Sequence, residues 1–172
     1  MIGDRVDFFP GPTPAGRQGE IVPTPPLPIE GAVELDMPVA DLWQAFLDVQ
    51  RWSAWNQSIW RSTVRGDELR VGAWLVWAFN SIDRRYPYKL PAIAEIVELE
   101  PEDRVTWEVK LPGFHALHAY RFADLGSGRC RFGSWEVAAG PLYRLTRRFW
   151  LAHFRFVCRE SLIGAERLAR RE

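Results

Sequence analysis

The chain has 172 residues and a mass of 19.9 kDa, the size of one domain with its own core; 47% hydrophobic and 26% charged residues exclude a chain too polar to fold. Its 22 Lys and Arg balance 22 Asp and Glu, so overall charge points to no nucleic-acid partner and no acidic surface. No apolar run approaches the roughly eighteen residues of a membrane span, nothing behind Met1 reads as a signal peptide, and Cys130 and Cys158 match no metal or redox spacing, so free thiols, a cytoplasmic location and no stable membrane insertion are expected.

Residues 1–28 hold seven of the thirteen prolines. They cannot donate a regular ladder of backbone hydrogen bonds, and they read as an extended N-terminal arm ahead of a domain spanning 29–172. Order begins where Ile29, Gly31, Val33 and Leu35 alternate with Glu30, Ala32, Glu34 and Asp36, the period of a strand with one wet face. Asp36 and Pro38 mark a helix start, with Asp36 as an acidic cap candidate. Val39, Leu42, Trp43 and Phe46 then fall on one helical stripe, and a second short helix is expected over 52–56.

Strands follow over 60–64 and 71–80, joined by a turn at Gly66-Asp67. The span 80–91, with Asp83, Arg84, Arg85, Tyr86 and Tyr88, reads as a surface loop or a lid. Two hairpins come next, 93–99 with 104–111 and 115–122 with 130–138, the second turning at Gly126-Ser127-Gly128. Both faces of 71–80 are apolar, Trp74 and Val76 on one side and Leu75 and Trp77 on the other, so the outer face is expected to meet a second copy in a homodimer, or the N-terminal arm. Gly140-Pro141 opens one uninterrupted helix over 141–170, about 45 Å long. Leu142, Leu145, Phe149, Phe156 and Ile163 trace its expected buried stripe, widened by Trp150 and Val157, and eight arginines decorate the rest and the residue just beyond it. They read as solvated or paired with sheet carboxylates. A long helix after a run of antiparallel strands packs most economically across the concave face of a curved sheet.

The local phrases support a resemblance. Leu35-Asp36-Met37-Pro38 with Leu42-Trp43, Asp48 with Trp52, Trp55 and Asn56, Val71-Gly72, Glu98-Leu99-Glu100-Pro101 with Val105-Thr106-Trp107, His118-Ala119-Tyr120-Arg121-Phe122, Glu136 and Gly140 occur in this order. In that order they resemble the START-like, or SRPBCC, superfamily, which contains the polyketide cyclase/dehydrase-like proteins. The likeness runs over 29–168. It implies an α+β helix-grip fold, with seven antiparallel strands curled around a long C-terminal helix, two short helices after the first strand, and a hydrophobic ligand held between sheet and helix. It does not imply a reaction, because lipid carriers, hormone receptors and aromatase/cyclases share the fold.

Candidate chemistry is confined to few residues. His115 and His118 are three apart on a strand and face opposite ways, so they do not share a metal. If Phe122 pairs with Phe132, then Tyr120 opposes Ser134 and His118 opposes Glu136, and the two apolar residues carry the polar ones to the concave side with them. A histidine beside a carboxylate in an apolar cavity is competent for proton transfer; equally, the pair can satisfy itself and support the sheet. His118 and Glu136 are therefore the catalytic candidates. The ligand-binding candidates are Trp107, Tyr120, Phe122, Phe132 and Ser134 on strands, with Phe149, His153 and Phe156 on the helix. No cofactor and no metal is called for, no phosphate loop occurs, and no nucleophile–base–acid triad is evident. Three functions are open: a hydrophobic small-molecule binder, a polyketide cyclase/dehydratase-type enzyme acting through His118 and Glu136, and an interaction module using the proline arm and basic helix.

Overall fold

The computed structural model describes residues 28–170 apart from 67, 84 and 86, so the proline-rich arm lies outside the described residues. The elements are β1 (Ile29–Leu35), α1 (Val39–Leu47), a 3-10 turn (Val49–Arg51), α2 (Trp52–Trp55), β2 (Ile59–Arg65), β3 (Trp74–Asn80), β4 (Lys89–Glu100), β5 (Arg104–Leu111), β6 (Phe114–Gly126), β7 (Arg129–Ala139), α3 (Pro141–Leu145) and α4 (Arg147–Ala169). The strands pair antiparallel in the order β1-β7-β6-β5-β4-β3-β2 and curl into a half-barrel that grips the C-terminal helix. Among the described residues no helix is long and apolar enough to cross a membrane.

Local chemistry explains these elements. In β1 the alternating apolar positions are at least half-buried and the glutamates exposed, as a pleat with one wet face requires. Helix α1 buries Val39, Leu42, Trp43 and Phe46. It starts from Pro38, with φ −61°, and no side chain caps it; ring-fixed geometry does the work expected of Asp36. Gly140, at φ 109°, turns the chain from β7 into α3, and a Cβ there would run into the Gly113 carbonyl.

The larger of two core clusters fills one half of the grip, and a smaller one around Phe114, Tyr143 and Phe154 lies at the other. Phe46 packs against Trp52, Tyr120 and Phe122 at ring separations of 5.0 to 5.2 Å, and Trp43 meets Phe122 edge-on at 5.1 Å. Trp52 stacks on Trp107 of β5. Each such side chain contributes about 1.5–3 kcal/mol of burial. The plug supplied by α1 and α2 therefore closes that half of the concave face. Beneath it, the Ser161 Oγ of α4 donates to the Val157 carbonyl (2.8 Å) and accepts from Asn56 Nδ2 (3.0 Å). With its one proton so used, it accepts from the Tyr120 hydroxyl at 2.7 Å.

Three features depart from the sequence expectation. First, β4 begins at Lys89 and runs through Pro91, which pairs with Ala78 of β3; the loop after β3 is shorter than 80–91. A proline is tolerated because β5 pairs only with residues 95–100 of β4, leaving 89–94 without a partner on that side among the described residues. Second, the C-terminal helix is broken at Thr146 (φ −107°, ψ 19°), whose Oγ1 donates to the Leu142 carbonyl at 2.6 Å. That back-bond competes with continued helix.

Third, the buried face of α4 is His153, Phe154, Val157, Cys158, Ser161, Gly164 and Ala165, rotated from the expected stripe. Leu145 is 84% exposed and Phe149 39%. Small residues choose the face: a Cβ on Gly164 would sit 2.5 Å from the Trp55 carbonyl, and one on Gly31 of β1 2.9 Å from Leu162. The helix arginines are mostly solvated, as expected, and the pairs they make are on the helix itself rather than with the sheet, Arg159 with Glu160 and Arg170 with Glu166. On the outer sheet face Trp74 is 42% exposed and Ile93 and Val97 are nearly as open, while Trp77 is buried on the inner face.

Candidate functional site

Strands β4 and β5 pair near the β4–β5 turn and then part. The register shifts between Ile96 and Glu98, and beyond Glu95 no ladder joins 89–94 to 109–111; a bulge bends a strand in this way. The N-terminal half of α4 bridges the opened end of the sheet. Between them lies an apolar cavity of about 330 Å³, walled by Trp77 and Phe79 of β3, Leu90 to Ile93 of β4, Trp107 and Val109 of β5, Phe114 and Ala116 of β6, and Trp150 and Phe154 of α4. That size suits a small organic molecule.

Three ionisable side chains lie on this wall: His118, Glu136 and His153. The β6–β7 register pairs Phe122 with Phe132, Tyr120 with Ser134 and His118 with Glu136. The His118 Nδ1 lies 3.4 Å from Glu136 Oε2, and Nε2 lies 3.2 Å from Ser134 Oγ. His118 Nε2 and the Ser134 hydroxyl share a hydrogen bond whose direction follows the imidazole tautomer, and Nδ1 faces the Glu136 side chain. The imidazole is held between Trp107 (4.9 Å) and Tyr120 (4.5 Å). His115 lies on the opposite face, half exposed, beside Glu108.

His153 is different. It is fully buried, and neither ring nitrogen has a hydrogen-bond partner among the described residues. Phe79 meets its ring edge-on at 4.6 Å, and Phe149 lies parallel to it at 5.9 Å. Burial without a partner pulls its pKa down to about 4, so the imidazole is neutral near pH 7.

The structure thus brings Trp107, His118, Glu136 and His153 together on the cavity wall. It sets the other candidates elsewhere. Tyr120, Phe122, Phe132 and Ser134 face inward but lie in the half filled by α1 and α2, where Tyr120 borders only a void of about 10 Å³, the size of one water. Burial pushes the Tyr120 hydroxyl well above its usual range. Phe149 backs His153 without reaching the cavity, and Phe156 lines a separate polar cleft with Lys89 and Arg159, because the buried face of α4 is rotated. Ser134 shares a hydrogen bond with His118, and Glu136 lies within ion-pair distance of it, so the three have the composition of a hydrolytic triad. Yet Ser134 is fully buried and absent from the cavity wall, so no substrate carbonyl reaches it and acyl transfer is unsupported. Sequence reading missed Leu90 and Pro91, which looked like loop, and Phe154, which lies off the expected stripe. The alternation Trp77–Phe79 was the available signal for the β3 wall.

The sequence profile of the family described as polyketide cyclase/dehydrase and lipid transport matches residues 27–171. Solved structures share the fold at low identity. A Thermus thermophilus protein, TTHA0849, superposes with a TM-score of 0.66 at 14% identity, covering 85% of this chain and 100% of that one. A START superfamily protein from Mycobacterium smegmatis gives 0.57 at 12%, covering 82% and 97%. The di-domain aromatase/cyclase StfQ of the steffimycin biosynthetic pathway gives 0.62 at 13%, covering 83% of this chain and 50% of that one. No curated protein sequence matches.

Proposed function

This chain belongs to the polyketide cyclase/dehydrase and lipid-transport family, and we propose that it binds a hydrophobic or aromatic small molecule in the cavity between the parted strands and α4. The observation that carries this reading is the cavity itself: about 330 Å³ with a wall almost wholly aliphatic and aromatic. Burying such a ligand releases apolar surface from water at roughly 25 cal/mol per Å². Trp77, Trp107 and Trp150 line the space, so occupancy should change their fluorescence. Titration of the full chain with 2-naphthol is the direct test, and native mass spectrometry of the purified protein should show a co-purifying small molecule. Replacing Ala116 by Trp fills the cavity from the sheet side. Undiminished binding by that folded variant would place the ligand elsewhere.

A second reading is supported by the His118–Glu136 pair on the wall. In it, Glu136 moves a proton at the ligand through Oε1, the oxygen that His118 leaves free, and His118 positions the carboxylate. Enolisation, aldol cyclisation or dehydration needs such a group. Binding is the leading reading because both His118 nitrogens are already engaged, by Glu136 and Ser134. If the pair is catalytic, Glu136→Gln and His118→Ala abolish turnover of a cyclisable polyketide and leave affinity within about tenfold, 1.4 kcal/mol. Activity that only follows the folded fraction assigns the pair to structure.

A further inference from the structure

We propose that His153 is the polar recognition group of the cavity, and that the ligand is a neutral hydroxylated aromatic, its phenol or alcohol hydrogen-bonded to this imidazole. The inference rests on the cavity being the ligand site and goes on to name the chemistry the site selects. An unbonded polar group in a dry interior is costly, and proteins rarely keep one without a partner. His153 keeps two, and its ring borders the cavity; neither nitrogen is open to water in this conformation, so a ligand reaches them on a turn of the ring. Among the described residues no other protein group competes for it, since its neighbours there are the rings of Phe79, Phe149, Trp150 and Phe154. A neutral imidazole offers one donor and one acceptor, and a hydroxyl is complementary to either.

Charge narrows the class. No Lys or Arg is among the residues lining the cavity, and its acidic group is Glu136. A carboxylate ligand would therefore be buried near a like charge with no cation to answer it. An ammonium would leave water for an apolar wall whose one carboxylate already faces His118. A ligand with no polar group would leave both His153 nitrogens desolvated and unpaired. Sites built to hydrogen-bond a hydroxyl reject analogues lacking it for this reason.

The test uses three probes on one skeleton, 2-naphthol, 2-methylnaphthalene and 2-naphthoate, titrated into the full chain by tryptophan fluorescence and calorimetry at pH 7. Wild type should bind 2-naphthol at least tenfold tighter than either analogue. His153→Leu should weaken 2-naphthol about tenfold and leave 2-methylnaphthalene equal or tighter, erasing the preference. His153→Phe provides the same reading should the leucine variant not fold, which circular dichroism establishes. Equal binding of 2-naphthol and 2-methylnaphthalene by wild type, preference for 2-naphthoate, or a hydroxyl preference that survives in the folded variants overturns the role of His153 while the ligand site stands. Failure of all three probes to bind wild type overturns both.

Discussion

His153 makes a sharp prediction for stability as well as recognition. Its usual pKa of 6.5 falls to about 4 in the folded chain because burial disfavours the charged form. Between pH 6.5 and 4 the unfolded chain takes up a proton at this position that the folded chain refuses. Folding therefore loses stability as pH falls through this window, and the loss levels off below about 4. Each pKa unit is worth about 1.4 kcal/mol, so the full loss is roughly 3 kcal/mol. His153→Leu removes the titrating group, keeps an apolar side chain of similar size, and spares the orphaned nitrogens. Urea unfolding of both proteins from pH 7 to 4.5 is the assay, because every carboxylate titrates alike in the two and the difference isolates His153. The variant should be at least as stable at pH 7, and its advantage should widen by about 2 kcal/mol or more towards pH 4.5. Parallel stability curves would refute the burial of an unpartnered imidazole.

Further outcomes follow from packing. Gly164→Ala places a methyl 2.5 Å from the Trp55 carbonyl and 2.8 Å from its ring, so α4 must shift and stability should fall by about 1–3 kcal/mol in urea unfolding. Tyr120→Phe removes the bond to Ser161 and should cost about 1 kcal/mol, with 2-naphthol affinity unchanged because the hydroxyl points away from the cavity into that network. Burial raises the Cys130 and Cys158 pKa values to about 11, so both thiols should resist alkylation in native protein at pH 8 and react once it is unfolded. If a second copy covers the outer face of β3, light scattering should give a dimer mass that Trp74→Glu returns to 19.9 kDa.

Much of the architecture was legible because it rests on periodicity. Alternation along β1 and parity along β6 and β7 brought His118 opposite Glu136 without any tertiary information, since a one-residue slip would turn a whole buried face outward. Parity along β3 likewise put Trp74 and Trp77 on opposite faces, and the structure has Trp77 inside. Periodicity weighs large apolar side chains, however, and the docking of α4 is decided by small ones. Gly31 and Gly164 allow backbone approach that no stripe of leucines signals, and so Phe149 and Phe156 were assigned to the wrong face.

By itself, then, the sequence determined the order of elements, the sheet face on which each residue sits and the pairing of His118 with Glu136. These depend on local backbone geometry and on neighbours across a hairpin. Tertiary structure alone decided which part of the concave face stays empty. Phe46 and Trp52, far from β6 in the chain, fill the half beneath Tyr120 and Phe122. The parting of β4 from β5 opens the other half, and only there does His153 meet a cavity with both nitrogens unpaired. A cavity is a property of what several distant segments fail to fill, and no single stretch of chain encodes it.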